Sequence, residues 1–149
     1  MTGSDLAAGL SAADQQRLIA AAAAGRERAY APYSGFAVGA AVLAGAGEDA
    51  AVFAGCNVEN ASYGLTLCAE RVAIFTAIAA GARRITAVAV VTDTPSPTFP
   101  CGACRQVLSE FNGAMVVVCA TVGGAVVRRP LSDLLPDSFG AAALSDRVQ

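Results

Sequence analysis

Arg84-Ile85-Thr86-Ala87-Val88-Ala89-Val90-Val91-Thr92 reads as a β-strand. Its apolar residues run on without alternating, the pattern of a strand covered on both faces. Met115 to Thr121 repeats that pattern. Between the two runs, Asp93 to Pro100 is rich in Pro, Thr and Ser, a loop composition, and Cys101 to Phe111 reads as a helix. Working outward, Gly123-Gly124 suits a tight turn that sends Ala125 to Arg128 back antiparallel, and Leu131 to Leu135 reads as a last helical turn. On the N-terminal side, Leu67 to Ala80 reads as a helix stopped by Gly81. Before it, Phe36 to Ala44 and Ala51 to Val58 read as strands joined by a hairpin at Gly45 to Asp49, with Phe36, Val38, Ala40 and Val42 on one face. A first helix runs from a capping box at Ser11 and Asp14 to about Tyr30, with Leu18, Ile19, Ala22 and Ala23 on one stripe; Pro32 ends it.

The order is helix, two strands, helix, strand, helix, two strands. It predicts an α/β fold: a three-layer α/β/α sandwich around a mixed five-stranded sheet. No repeat or linker divides the chain, so residues 1–149 read as one domain, with 1–10 and 141–149 as loose termini.

Composition narrows the function. Apolar residues make up 55% and charged residues 15% of the chain, and so little charge favours an oligomer over a free monomer. With 10 Lys+Arg against 12 Asp+Glu, a nucleic-acid partner is not expected, because such binders carry a basic face. The start lacks a basic leader, and Leu18 to Gly25 is too short to span a membrane. The expectation is a cytoplasmic protein without a membrane partner, in which the five cysteines serve as ligands or buried thiols rather than disulfides.

Two stretches carry the chemistry: Cys68-Ala69-Glu70-Arg71 and Pro100-Cys101-Gly102-Ala103-Cys104-Arg105-Gln106. Both fall at predicted helix N-termini, where free N–H groups and partial positive charge stabilise thiolates. Cys101 and Cys104 are one turn apart and can reach one ion. The chain has no histidine, so a zinc site would use sulfur and oxygen. Three thiolates with an open fourth position fit a catalytic zinc, whereas a structural site would need a fourth ligand, for which Cys56 and Cys119 are the candidates. Cys-x-x-Cys also serves as a redox pair. Three thiolates on one Zn²⁺ leave a net charge of about −1, which Arg71 and Arg105 could offset by donating hydrogen bonds to sulfur.

These motifs resemble the small, homotetrameric, zinc-dependent cytidine deaminases, and the chain is identified as similar to them over roughly 12–140. The likeness extends through Tyr30-Ala31-Pro32-Tyr33-Ser34-Gly35-Phe36-Ala37-Val38-Gly39-Ala40, Asn57-Val58-Glu59-Asn60-Ala61-Ser62-Tyr63-Gly64, Leu134-Leu135-Pro136 and Phe139. The resemblance implies Cys68, Cys101 and Cys104 as ligands of one Zn²⁺ per subunit, Glu70 as proton shuttle and Arg71 as partner of the ligand sulfurs. It implies hydrolytic deamination of cytidine and 2′-deoxycytidine to the uridines, with release of ammonia, in pyrimidine salvage.

Asn57 and Glu59 lie two apart at a strand end, so their side chains point the same way. An amide beside a carboxylate can hold a sugar hydroxyl, although a polar strand end needs no ligand. The resemblance assigns the pair to the ribose 3′-hydroxyl, Phe36 to the pyrimidine ring and the backbone of Ala69 to the amide edge of the base. It places Tyr63 and Phe139 in the site too, with the Ala61-Ser62-Tyr63 loop reaching a neighbouring subunit. Two other readings stand beside this one. The first is a deaminase of the same fold acting on another aminopyrimidine nucleoside, such as blasticidin S. The second is a non-enzymatic oligomer stabilised by a closed four-thiolate zinc site.

Overall fold

The computed structural model describes residues 9–45 and 47–145. Helix α1 (Ala12–Arg26) is followed by strands β1 (Val38–Ala44) and β2 (Ala51–Cys56), helix α2 (Ala69–Ala79), strand β3 (Ile85–Thr92), helix α3 (Gly102–Asn112), strands β4 (Val116–Thr121) and β5 (Val126–Pro130), and short helices α4 (Leu131–Leu134) and α5 (Ala141–Ser145). The strands form one sheet in the order β2-β1-β3-β4-β5. Only β3 and β4 run parallel; every other neighbouring pair is antiparallel. The sheet is mixed and five-stranded, as the order of elements implied.

β3 sits at the centre, with Val88 facing Val42 of β1 on one side and Val117 of β4 on the other. That position accounts for its unbroken apolar run, because both faces are covered. One face packs Val42, Val88 and Val117 against Ile74 of α2 and Leu108 of α3. The other packs Ala41, Leu43, Ala89 and Val118 against Leu18 and Ala22 of α1. Leu18, Ile74 and Leu108 are fully buried, each worth about 1.5–3 kcal/mol relative to exposure. Of the two segments expected to be loose, residues 1–8 and 146–149 lie outside the described residues, Leu10 is buried against the α1 face and 141–145 is helical.

Ser11 caps α1 by accepting from the Asp14 N–H at 3.0 Å, while its hydroxyl donates to the Asp14 carboxylate at 2.8 Å. The helix stops four residues before Tyr30. There the chain unwinds through i→i+3 bonds, Arg28 N–H to Gly25 O and Ala29 N–H to Arg26 O. Tyr30 then bridges to Val58. β1 begins at Val38 rather than Phe36. The Asn57 side chain accepts from the Val38 N–H at 2.9 Å and donates to Phe36 O at 2.7 Å. It takes the place of a strand partner there and leaves Phe36 outside the ladder.

Two glycines let the layers approach. A Cβ on Gly39 of β1 would lie 1.9 Å from Ala22 O of α1. A Cβ on Gly55 of β2 would lie 2.5 Å from Ala73 N and 2.8 Å from Ala69 O, both backbone atoms of α2. Backbone cannot rotate away as a side chain can, so Gly55→Ala must push α2 off the sheet. The expected cost is about 3 kcal/mol, the upper part of the overpacking range. It is measured as a lowered denaturation midpoint, and an unchanged midpoint would refute the close contact.

Candidate active site

α2 and α3 lie side by side on one face of the sheet, and their first turns bring the cysteines together. Cys68 is the N-cap of α2 and Cys101 the N-cap of α3. Neither uses its side chain to cap, so both thiols are free to point at a third. That third is Cys104, one turn into α3 and buried. The three sulfurs lie within 4.8 Å of one another, and Cys68 Sγ to Cys101 Sγ is 3.8 Å. Two sulfurs each bonded at about 2.3 Å to a tetrahedral zinc stand about 3.8 Å apart. The spacing and the soft donor set therefore fit zinc, and the cluster could bind one ion. Cys56 and Cys119 are not in the cluster. Cys56 donates to Arg28 O at 3.4 Å, and Cys119 is enclosed in the core between sheet and helices, its thiol pushed up to about 12 chiefly by burial. A closed four-thiolate site is thus not formed among the described residues.

Charge around the sulfurs is arranged unevenly. Cys68 is drawn down to about 5, first by a hydrogen bond from Cys104 and then, against its burial, by Arg71 and Cys101. Cys104 is driven the opposite way, by donating to Cys68 and by desolvation. Arg71 Nη2 donates to Thr66 O at 3.0 Å and reaches Cys68 Sγ at 3.6 Å. Among the described residues its Nε is buried with no hydrogen-bond partner. Arg105 departs from expectation and touches no sulfur. Its Nε donates to Pro100 O at 2.7 Å and its Nη1 to Leu134 O at 2.8 Å, because one turn into α3 its side chain faces the backbone of the preceding loop and of α4.

Glu70 is 4% exposed. Burial raises its pKa above the usual carboxylate value, and the Cys68 thiolate adds to the rise. Glu70 lines a cavity of about 250 Å³. Cys68, Ala69 and Cys101 line the same space, as do Phe36, Asn57 and Glu59. So modest a volume suits a compact ligand. Both polar ends of the Asn57 side chain are engaged by the backbone of 36–38. The Glu59 carboxylate accepts from the Tyr33 N–H at 2.8 Å, the Ser34 N–H at 3.2 Å and the Ser34 hydroxyl, and the Ser34 hydroxyl above all lowers its pKa. Glu59 is thereby held as a preorganised acceptor.

Tyr63 and Phe139 do not line this cavity. Tyr63 is 75% exposed and packs edge-on against Tyr33, with ring centroids 5.9 Å apart. Phe139 is also exposed; its carbonyl accepts from Gln106 Nε2 at 2.9 Å. Conversely, the far wall of the cavity consists of Val90 and Thr92 from the end of β3, with Thr98 and Phe99 from the loop before Cys101. Sequence reasoning did not single these out. The available signal was topological, since a loop that delivers a ligand must pass the site.

Known proteins similar to this chain agree on its class. The model of the cytidine and deoxycytidylate deaminase zinc-binding region matches residues 12–121. A cytidine deaminase of Sporosarcina psychrophila is 48% identical over 89% of this chain and 96% of its own length. Among solved structures, cytidine deaminase from Burkholderia pseudomallei is 54% identical, with a TM-score of 0.78 over 83% of this chain and 98% of that one. Cytidine deaminase from Mycobacterium tuberculosis is 45% identical, with a TM-score of 0.72 over 85% and 98%. On the family match and these identities over most of both chains, the chain belongs to the cytidine and deoxycytidylate deaminase family of zinc enzymes.

Proposed function

We propose that this protein hydrolyses cytidine and 2′-deoxycytidine to uridine and 2′-deoxyuridine, releasing ammonia. The observation that carries this reading is that buried Glu70 lines the same cavity as Cys68 and Cys101, two members of the cysteine cluster. Zinc held by Cys68, Cys101 and Cys104 would supply Lewis-acid activation of water. Glu70 removes a proton from that water and delivers it to ring N3, which makes C4 electrophilic. As the water oxygen bonds to C4, Glu70 takes its remaining proton and passes it to the exocyclic amine, whose bond to C4 breaks to release ammonia and leave the C4 carbonyl. A group that acts as base and then acid works best with a pKa near the operating pH, and the rise that burial imposes on Glu70 is in that direction. Phe36 packs on the ring, the Ala69 backbone meets the amide edge of the base, and Glu59 with Asn57 receives the sugar. Because the Asn57 amide is already bonded to the 36–38 backbone, its main work is to hold Phe36 in place, and Glu59 is the acceptor for a sugar hydroxyl.

We place the protein in the cytoplasm as a homotetramer with sites shared between subunits. Among the described residues, no helix is long and apolar enough to cross a membrane. Support for sharing comes from Tyr63 and Phe139, large and exposed yet outside their own subunit's cavity, the placement of groups that serve a neighbour.

Loss of cytidine absorbance on incubation tests the reaction. Glu70→Ala is expected to retain one zinc per chain and lose turnover by about 10²–10⁴-fold; loss of zinc would make Glu70 a ligand instead. A folded, zinc-loaded parent that leaves cytidine intact would move the substrate to another aminopyrimidine. Arg71→Ala is expected to keep the fold and lower activity by roughly 10-fold or more, and unchanged activity would count against its charge-balancing role. Sedimentation equilibrium should give four times the chain mass, and a monomer with full activity would rule out shared sites.

A further inference from the structure

The loop 93–100 delivers Cys101 to the metal cluster, yet its backbone is barely tethered. Pro95, Pro97 and Pro100 have no N–H to donate. Among the described residues, no backbone-to-backbone hydrogen bond outside the helices and strands involves 93–100. The Asp93 carboxylate meets Arg26 only at 3.8 Å, on the exposed side. Nearer Cys101, Arg105 holds Pro100 O. Phe99 packs against the core and Pro100 is buried, and the polar fixed points of 94–98 are hydroxyls. Thr94 Oγ1 donates to Ser96 O at 2.7 Å. A hydroxyl has one proton, so in the 2.7 Å contact between Thr92 and Thr94 Thr92 is the donor. The same Thr92 proton is shared, more weakly, with Thr98 Oγ1 at 3.3 Å as a bifurcated donation. In the 3.3 Å contact between Thr94 and Thr98, the committed Thr94 accepts. Every hydroxyl proton is thus used within the network, and the direction of donation is set by the Ser96 carbonyl at its end.

The root of this network is rigid. Thr92 ends β3, is 1% exposed, and its carbonyl accepts from Val122 N–H at 2.9 Å. Thr98, at the other end, stands three residues before Cys101 and lines the cavity beside it. We infer that the Thr92–Thr94–Thr98 hydroxyls form a positioning device that ties the Cys101 ligand to the central strand, so that the thiol geometry needed by zinc exists before the metal arrives. The inference rests on the zinc-site reading. None of the three threonines ligates the metal; they act through the loop and Cys101.

Zinc release to an excess of chelator, followed with a colorimetric zinc indicator, tests this, together with the visible spectrum of the Co²⁺-substituted protein. Thr92→Val keeps the side-chain shape and removes the hydroxyl. It is expected to speed zinc loss roughly tenfold, the lower end of what losing ligand support costs, and to weaken and broaden the cobalt–thiolate bands. Thr92→Ser restores the hydroxyl and should restore both. Thr98→Val, at a half-buried position, gives the same readout should Thr92→Val fold poorly. Equal release rates in the parent and both valine variants would overturn the inference, as would a loss that Thr92→Ser does not reverse. A parent protein that holds no zinc would overturn the metal site and this inference with it.

Discussion

The contact between Gly55 and the start of α2 sets where Cys68 and Glu70 stand. The missing side chain lets Ala69 and Ala73 sit directly on β2, and Ala69 lies between Cys68 and Glu70. Helix height above the sheet is therefore also the height of the thiol and the carboxyl. On the opposite face, Gly25 of α1 approaches the same residue, where a Cβ would meet Gly55 O at 2.7 Å. Gly55 is pinned between two helices, so it cannot yield to either side. A close-packed interior passes such displacements on.

The layers were legible in the sequence because their signal is periodic. β3 and β4 lack alternation since helices cover both their faces, and the α1 stripe is apolar at helical spacing. Boundaries were less legible where a side chain replaced a backbone partner. Asn57 pairs with the 36–38 backbone, which shortens β1 and exposes Phe36. Nothing local marks an asparagine for that task over an ordinary strand end. The metal cluster was legible because chemistry restricts it: few residue types bind zinc, and two helix starts supply three of them. The Arg105 assignment failed because helical spacing brought it near the sulfurs in sequence but aimed it at Pro100 and Leu134. The cavity wall at Val90, Thr92, Thr98 and Phe99 is assembled by the parallel β3–α3–β4 crossover, a tertiary fact without a motif.

The site's electrostatics come from having no histidine to dilute the charge. Three thiolates and a divalent ion sum to about −1, and an ionised Glu70 beside them would make about −2. Opposing this are the Arg71 guanidinium and the partial positive ends of α2 and α3. Among the described residues Arg71 reaches one sulfur with Nη2 and keeps a buried Nε without a hydrogen-bond partner, so compensation there is incomplete. The residual negative potential acts on the nearest titratable neighbour. Glu70 is buried and faces the Cys68 thiolate, so both desolvation and repulsion favour its protonated form. A carboxyl held that way gives up its proton readily when negative charge moves off and takes one back when it returns. The thiol set that could bind the metal therefore adds to the rise that burial already imposes on the adjacent glutamate.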